Sequence, residues 1–228
     1  MNSEVRFRGE DDHITFQSWL HRLKRQGSNV LVTGNVPDAV SANASRIFFG
    51  RHHRYRILAR IDRTISSPES RLPESTSVES STTWVLDQRN GERSIPTAAT
   101  PIASHLELPE KDNVCQLRAE IQTAISFFEE RADGFDPAEL RVGVDSLFPF
   151  VQRDLSMTKQ TLRTLAATVR GVRGMGHYHL RVGDNEEIVE ELTPLFDARI
   201  ELRKRPGVQP EQRWHVPKLG KTTVWVKL

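Results

Sequence analysis

A glycine, a polar loop and a hydroxyl residue follow a short apolar run in the stretch VLVTGNVPDAVSANAS, residues 30–45. This order of strand, loop and helix is typical of a phosphate-binding loop, in which backbone N–H groups at a helix N-terminus hold the phosphates. A serine near the start of the helix can meet a magnesium ion. Gly34, Asn35 and Ser41 are therefore candidates for residual nucleotide binding.

Two positions depart from the phosphate-loop pattern G-x-x-x-x-G-K-[ST]. Ala39 stands in place of the second glycine, and Val40 stands in place of the lysine. Because catalysis of phosphoryl transfer is mainly electrostatic, an apolar residue at the lysine position argues against hydrolysis. Pro37 and Asp38 predict that the Asp38 carboxylate caps the following helix, where it would repel a phosphate. The alternative interpretation of the loop is an ordinary capped turn.

A further carboxylate ends the apolar run in LRVGVDSL, residues 140–147. Aspartate at the carboxyl end of a buried strand has the Walker B form, in which the carboxylate orders magnesium through water. Asp145 is therefore the fourth candidate for nucleotide binding, although many α/β strands end in aspartate. A carboxylate that would activate water is identifiable only by position, as Asp62, Asp87 or Glu92, so we assign no catalytic residue.

Two histidines, His177 and His179, alternate along a predicted strand and share one of its faces, and His215 lies on a later strand. Histidines at this spacing can bind zinc. No carboxylate or cysteine at convincing spacing completes such a site, so we predict no metal centre. The chain also lacks the G-x-S-x-G elbow of α/β hydrolases, so the sequence does not support the prediction of a hydrolase.

Arginines are concentrated between residues 46 and 63, where Asp62 is the only acid. They are Arg46, Arg51, Arg54, Arg56, Arg60 and Arg63. Such a patch can meet nucleic acid, an acidic protein or a membrane surface. The alternative is a solvated loop between a helix and a strand.

Composition limits the class of protein. A length of 228 residues favours one large domain with a real core, and the net charge of +2 argues against strong overall attraction to nucleic acid. No apolar run approaches the roughly 20 residues of a membrane span, and the first residues lack a signal-peptide core. Cys115 is the only cysteine, which excludes an internal disulfide. We therefore expect a cytoplasmic protein that has no contact with membranes.

The elements that position these residues alternate between strand and helix. Helical spacing of apolar residues predicts helices at 14–26, 38–49, 114–132, 157–172 and 185–196. Short apolar runs predict strands at 29–34, 55–62, 83–94, 140–147 and 175–182, and further strands from 198 to 228. This alternation predicts an α/β fold with a mainly parallel sheet and antiparallel strands at the C-terminal end. Gly34 and Asp145 should then both lie at the carboxyl ends of strands, where open sheets bind ligands.

The predicted domain organisation is simple. Residues 1–13 form an N-terminal tail, and residues 14–228 form a single domain without internal repeats. The Ser/Thr/Pro/Glu-rich segment 64–83 should bury no apolar area and should be a mobile loop.

The residues placed so far resemble the RecA/KaiC-like branch of P-loop proteins, in particular a family of uncharacterised haloarchaeal proteins with a degenerate phosphate loop. The resemblance covers roughly residues 14–228, and its most specific stretches are FDPAELRVGVDSL and LTPLFDARIELR followed by EQRWHVP. It implies a RecA-like three-layer sandwich in which Gly34 and Ser41 match the ends of the phosphate loop and Asp145 matches Walker B. The P-loop lysine and second glycine are absent, and the slightly basic charge departs from the acidic surface of salt-adapted proteins.

Three functions follow from these residues and the resemblance. The leading one is a non-catalytic, pseudo-ATPase module for regulation or signalling, which uses no cofactor and acts through an unknown protein partner or as a homo-oligomer. The first alternative is a weak Mg-ATP-binding protein or ATPase that uses Ser41 and Asp145. The second is a nucleic-acid-associated protein that uses the arginines of residues 46–63 and whose affinity falls with salt. The first function leads because it requires no missing residue.

Overall fold

The computed structural model describes residues 6–8, 15–61, 67–87, 92–94 and 113–228. The helices are α1 (Phe16–Gln26), α2 (Asp38–Phe49), α3 (Asn113–Ala132), α4 (Phe148–Arg153), α5 (Leu155–Gly171) and α6 (Glu187–Leu192). The strands are β1 (Ser28–Thr33), β2 (Tyr55–Arg60), β3 (Thr83–Asp87), β4 (Glu92–Ser94), β5 (Leu140–Asp145), β6 (Met175–Leu180), β7 (Ala198–Arg203), β8 (Glu211–Val216), β9 (Lys221–Thr222) and β10 (Val226–Lys227). Each predicted helix is present, and only the six-residue α4 was not predicted.

The strands form one sheet in the order β10-β8-β7-β1-β6-β5-β2-β3-β4, and β9 pairs with β8. The central strands run parallel, whereas β4, β8, β9 and β10 are antiparallel to their neighbours. The predicted fold class, an α/β sandwich with a mainly parallel sheet and antiparallel C-terminal strands, is therefore confirmed. The parallel strands all end at one edge of the sheet, which we call the carboxyl edge; the opposite one is the amino edge.

Side chains alternate between two cores on the two faces of the sheet. Val30 and Val32 of β1 belong to the core that contains Trp19 of α1 and Val40 of α2. Leu31, between them, belongs to the other core, together with residues of α3 and α5. The sheet is thus the middle layer between two helical layers, as the period of two along a strand requires.

Part of the segment 64–83 is packed against the domain. A short 3₁₀ helix, Pro68–Arg71, leads to Leu72, which is 1% exposed and packs with Phe49 and Leu58. The prediction that this segment buries no apolar area is therefore wrong over residues 67–83. Composition describes the average polarity of the whole segment, whereas the burial of one leucine in an apolar pocket is enough to hold the segment against the domain.

Part of the predicted N-terminal tail also belongs to the domain. Phe7 forms a β-bridge with Thr223 and is 7% exposed. Its ring centroid lies 5.6 Å from that of Phe16 and 6.2 Å from that of Trp19. The prediction of a tail over residues 1–13 is therefore wrong at Phe7, whose aromatic side chain packs into the core beside α1.

Candidate functional site

Two backbone N–H groups of the loop between β1 and α2 donate to carbonyls within the protein. Gly34 N–H donates to the Val182 carbonyl at 2.9 Å, and Val36 N–H donates to the Gly34 carbonyl at 3.0 Å. Pro37 has no N–H to offer. A phosphate loop needs several N–H groups aimed at one point, and three positions of this loop cannot contribute because their N–H is engaged or missing.

Packing explains the glycine itself. Gly34 follows β1 directly, at the carboxyl edge as predicted, and has φ of 129°. A Cβ at this position would overlap the carbonyl oxygen of Leu202 on the neighbouring strand β7. The close approach of two strands therefore requires glycine here without any ligand. Asn35 follows as an exposed residue of the loop.

The start of α2 differs from the prediction. Pro37 occupies the N-cap position, no side chain caps the helix, and Asp38 lies in its first turn. The prediction that Asp38 caps the helix is therefore wrong. Its carboxylate forms ion pairs with Arg71 and Arg181 instead, because charged donors are stronger partners than a backbone N–H. Val40, at the lysine position, is 6% exposed and faces the apolar core.

A fully buried arginine links the two carboxylates at this edge. Arg71 Nε donates to Asp145 Oδ2 at 2.7 Å, and Arg71 Nη2 donates to Asp38 Oδ1. Arg181 Nη1 lies 3.1 Å from the same oxygen of Asp38. We call Asp38, Arg71, Asp145 and Arg181 the Arg71 bridge. It connects the first turn of α2 with the end of β5.

Burial dominates the electrostatics of Asp145. It raises the pKa of this carboxyl, and the guanidinium of Arg71 acts in the opposite direction. Oδ1 of Asp145 is buried without a hydrogen-bond partner. Asp145 lies at the carboxyl edge as predicted, and β6 lies between its strand and β1. The guanidinium of Arg71 occupies Oδ2 of this carboxylate.

Beneath α2, two serine–histidine pairs join the helix to β6. His179 Nδ1 lies 2.9 Å from Ser41 Oγ, and His177 Nε2 lies 3.1 Å from Ser45 Oγ. Burial lowers the pKa of His179 to about 3 and that of His177 well below its usual value. Both imidazoles are therefore neutral near pH 7, and the hydroxyl of Ser41 is already engaged. His179 Nε2 is buried without a partner.

The two histidines share a face of β6, as predicted, but His215 is remote from them. Strands β7 and β1 lie between β8 and β6 in the sheet. The three histidines therefore do not form one site. Gly143 of the adjacent strand provides the room for the His177 ring, since a Cβ there would lie 2.6 Å from Nε2.

His215 belongs to a separate group whose atoms lie close enough to hold a metal ion. Its Nε2 is 2.9 Å from Glu201 Oε2 and 3.8 Å from Asp184 Oδ2. Arg199 Nε lies 3.0 Å from Asp184 Oδ1, and Arg213 pairs with Glu201. Burial raises the pKa of Glu201, but the hydrogen bonds from His215 and Arg213 outweigh this effect and hold the pKa at about 2. These contacts describe an ion-pair network in which guanidinium groups already partner the carboxylates.

The predicted arginine patch does not form one surface. Strand β2 carries Arg56 near the amino edge and Arg60 at the carboxyl edge, and Arg54 precedes the strand. Arg60 is 1% exposed and donates to Asp87 Oδ2 at 2.9 Å. Residues four apart on a strand are about 13 Å apart, so a patch that is continuous in sequence becomes divided in space.

The other members of the patch also differ in environment. Arg46 of α2 donates to the carbonyl of Ser70, and Arg51 is exposed after the helix. Arg63 lies outside the described residues, as does Asp62, one of the carboxylates considered for activating water. Of the other two, Asp87 pairs with Arg60, and Glu92 lies in β4.

Sequence reasoning missed the arginine that matters most at the carboxyl edge. Arg71 comes from a segment predicted to be a loop, 74 positions before its partner Asp145. An arginine beside a leucine in an otherwise small and polar segment was the only signal. Arg181 was missed because it follows β6 directly and shows no spacing pattern of its own.

Comparison with known proteins assigns a family to the chain. No curated protein matches it. Residues 27–202 match the profile of a family of unknown function, DUF7504. The matched range extends from β1 to β7, exceeds half of the chain, and contains the Arg71 bridge and both serine–histidine pairs. The chain therefore belongs to DUF7504, a family of unknown function.

Proposed function

We propose that this chain is a non-catalytic regulatory or signalling module of the RecA/KaiC-like kind. It uses no nucleotide and acts through a protein partner or as a homo-oligomer. The observation that carries the proposal is the Arg71 bridge, in which a buried guanidinium contacts both Asp38 and Asp145. An internal cation thus pairs with the carboxylate that a nucleotide site would use to order Mg²⁺, which supports a module that works without nucleotide.

The energy of the bridge supports this proposal. For Mg²⁺ to bind Oδ2 of Asp145, the guanidinium of Arg71 must leave a carboxylate that is 1% exposed. Removing one partner of a buried ion pair costs about 3–5 kcal/mol, because the other charge is left uncompensated. A ligand shifts the equilibrium between the paired and the broken ion pair only by its differential affinity for these two states. The cost of breaking the pair would therefore be subtracted from the free energy of nucleotide binding.

Other contacts weigh against the alternative of a Mg-ATP-binding protein or ATPase. The hydroxyl of Ser41 is 2.9 Å from His179 Nδ1, and Val40 provides no charge for a γ-phosphate. Loop N–H groups donate to protein carbonyls. Several of the groups that the alternative requires are thus absent or already hydrogen-bonded.

Titration of the wild-type protein with Mg-ATP and Mg-GTP tests the proposal. Calorimetry should show no saturable heat, and a phosphate-release assay should show no turnover. The Asp145→Asn variant removes the Walker B carboxylate. The Asp154→Asn variant is the matched control, because asparagine caps a helix as well as the Asp154 that caps α5.

Saturable binding or turnover that disappears in Asp145→Asn and persists in Asp154→Asn would overturn the proposal. Sedimentation of the same protein then distinguishes the two versions of the proposal, action through a protein partner and action as a homo-oligomer. A homo-oligomer should assemble to the same extent with and without Mg-ATP, whereas assembly that depends on nucleotide would also contradict the proposal.

A further inference from the structure

Four cationic side chains from different parts of the chain meet at the amino edge of the sheet. Lys24 lies in the last turn of α1, Arg54 precedes β2, Arg56 lies in β2 and Arg141 lies in β5. Arg56 and Arg141 are direct partners in the ladder between β2 and β5, so they point to the same face. We call these four residues the amino-edge cluster.

The cations of this cluster repel one another. Burial, together with the charges of Arg54 and Arg56, lowers the pKa of Arg141 to about 9. The pKa of Arg56 falls to about 10 through burial and through Arg54. The pKa of Lys24 is lowered by burial and then by Arg141 and Arg54. Arg56 Nη1 also donates to the carbonyl of Arg54 at 3.0 Å, so these two residues are direct neighbours whose charges have the same sign.

The partners of the two buried arginines are neutral groups, namely backbone carbonyls for both and the Met175 sulfur for Arg141, at 2.9 Å. Arg56 donates to the carbonyls of Gly50 and His52, both at 2.8 Å, just after α2. Arg141 donates to the carbonyl of Phe48 at 3.3 Å. The carbonyls of Phe48 and Gly50 lie at the C-terminus of α2, whose partial negative charge of about half a charge compensates the cluster only in part.

No carboxylate compensates the rest of the charge in the part of the chain that the structure describes. None lies within 4.0 Å of a nitrogen of the amino-edge cluster, and Glu139 at the same edge lies 4.0 Å from His53 instead. The Nε atoms of Arg54, Arg56 and Arg141 are buried without a partner. Arg56 is 3% exposed and Arg141 9%, so these donors are fixed in place.

We propose that the amino-edge cluster binds a phosphate group, supplied either by free phosphate or by a nucleic-acid backbone. Lys24 and Arg54 supply the donors that an incoming ligand can reach, and the buried charges of Arg56 and Arg141 favour an anion with several acceptor oxygens. Lys24 and Arg54 are half-buried and form the open side of the site. The exposed turn at residues 51–53, with one arginine and two histidines, continues the basic surface outward.

This site is independent of the Arg71 bridge, since the two lie at opposite edges of the sheet. It also differs from the patch predicted from sequence, because it excludes Arg60 and includes Lys24 and Arg141. A phosphate at the amino edge would remove the mutual repulsion of the cluster. Binding should therefore stabilise the folded protein.

The test compares two double variants that remove equal charge. Lys24→Gln/Arg54→Gln neutralises the half-buried members of the cluster and leaves the buried arginines in place. Arg131→Gln/Arg163→Gln is the control, with both positions exposed on α3 and α5. Inorganic phosphate is titrated by thermal shift at constant ionic strength, and a labelled single-stranded oligonucleotide is titrated by fluorescence anisotropy across a salt series.

Wild type and control should bind phosphate alike, and the cluster variant should bind it at least about tenfold more weakly, as expected for the loss of two charged donors. If the source is a nucleic-acid backbone, the oligonucleotide should bind as well. The slope of log affinity against log salt should then fall by up to about two in the cluster variant. Phosphate binding without oligonucleotide binding assigns the site to a free phosphate ligand.

Absence of saturable binding of both probes by the wild type would overturn the inference. Equal weakening in the control would overturn it too, because the effect would then be one of net charge. A signal from Mg-ATP that survives Asp145→Asn and disappears in Lys24→Gln/Arg54→Gln would belong to this site. Such a result leaves the proposed function intact, so the two proposals can fail separately.

Discussion

Arg71 determines which contacts Asp145 makes. Its guanidinium joins Asp145 to Asp38 and also holds the segment from 67 to 83 against α2. The position of Asp145 could be predicted, because an apolar run that ends in aspartate places it at the end of a strand. Its partner could not, because Arg71 lies in a polar segment without periodicity, and an ion pair leaves no trace in local sequence.

Two buried histidines should make the fold sensitive to acid. The lowered pKa values of His177 and His179 mean that the folded protein binds fewer protons than the unfolded chain below about pH 6.5. Their contribution to stability is therefore complete above about pH 6.5 and is lost as the pH falls towards the lowered values. Each histidine should contribute a slope of about 1 kcal/mol per pH unit between about pH 5 and 6.

The variant His179→Gln removes one of these titrating groups while glutamine keeps a hydrogen-bonding side chain. Urea unfolding at a series of pH values should show a smaller slope of stability against pH than in wild type. His21→Gln, at an exposed position of α1, is the control. Equal slopes for wild type and His179→Gln would contradict the assignment of the pH dependence to this histidine.

At the scale of elements, hydrophobic periodicity predicted the helices well and composition predicted one segment badly. The predicted helix at 38–49 coincides with α2, because its apolar residues recur at helical spacing. The segment from 67 to 83 has no period, so only its polar composition was available. Its position against α2 depends on Leu72, whose pocket is built by Phe49 and Leu58 from two other elements.

The packed segment can be tested at Leu72. Leu72→Ala should lower the free energy of unfolding by about 2–5 kcal/mol, because it leaves a cavity in a site that is 1% exposed. Val208→Ala, at a position that is 38% exposed, should change it by no more than about 0.5 kcal/mol. Urea denaturation measures both. An effect of Leu72→Ala as small as that of Val208→Ala would show that the segment does not contribute to the core.

At the scale of the whole molecule, the sheet separates two edges of different charge. Ion pairs join carboxylates and guanidiniums at the carboxyl edge, whereas the amino-edge cluster has only neutral partners among the described residues. The net charge of +2 is a sum over the whole chain and does not show this difference between the two edges. None of the described helices combines the length and apolar character needed to cross a membrane.

The two ends of the described chain meet beside α1. Phe7 bridges to Thr223 and packs its ring against Phe16 and Trp19. Phe7→Ala should therefore destabilise the whole domain by about 3 kcal/mol, as expected for a large buried aromatic side chain. Arg8→Ala, at the exposed neighbouring position, should have little effect. If chemical denaturation gives the same stability for both variants, the N-terminal segment is not part of the cooperative unit.

The sequence alone determined the α/β class, the mainly parallel sheet and the carboxyl-edge positions of Gly34 and Asp145. These properties follow from periods of two and 3.6 residues, which are local and can be counted along the chain. Only the tertiary structure decided what the candidate residues contact: His179 for Ser41, Arg71 for Asp145 and the apolar core for Val40. Those partners come from distant segments, and the order of strands in the sheet, which local periodicity does not encode, determines which segments become neighbours.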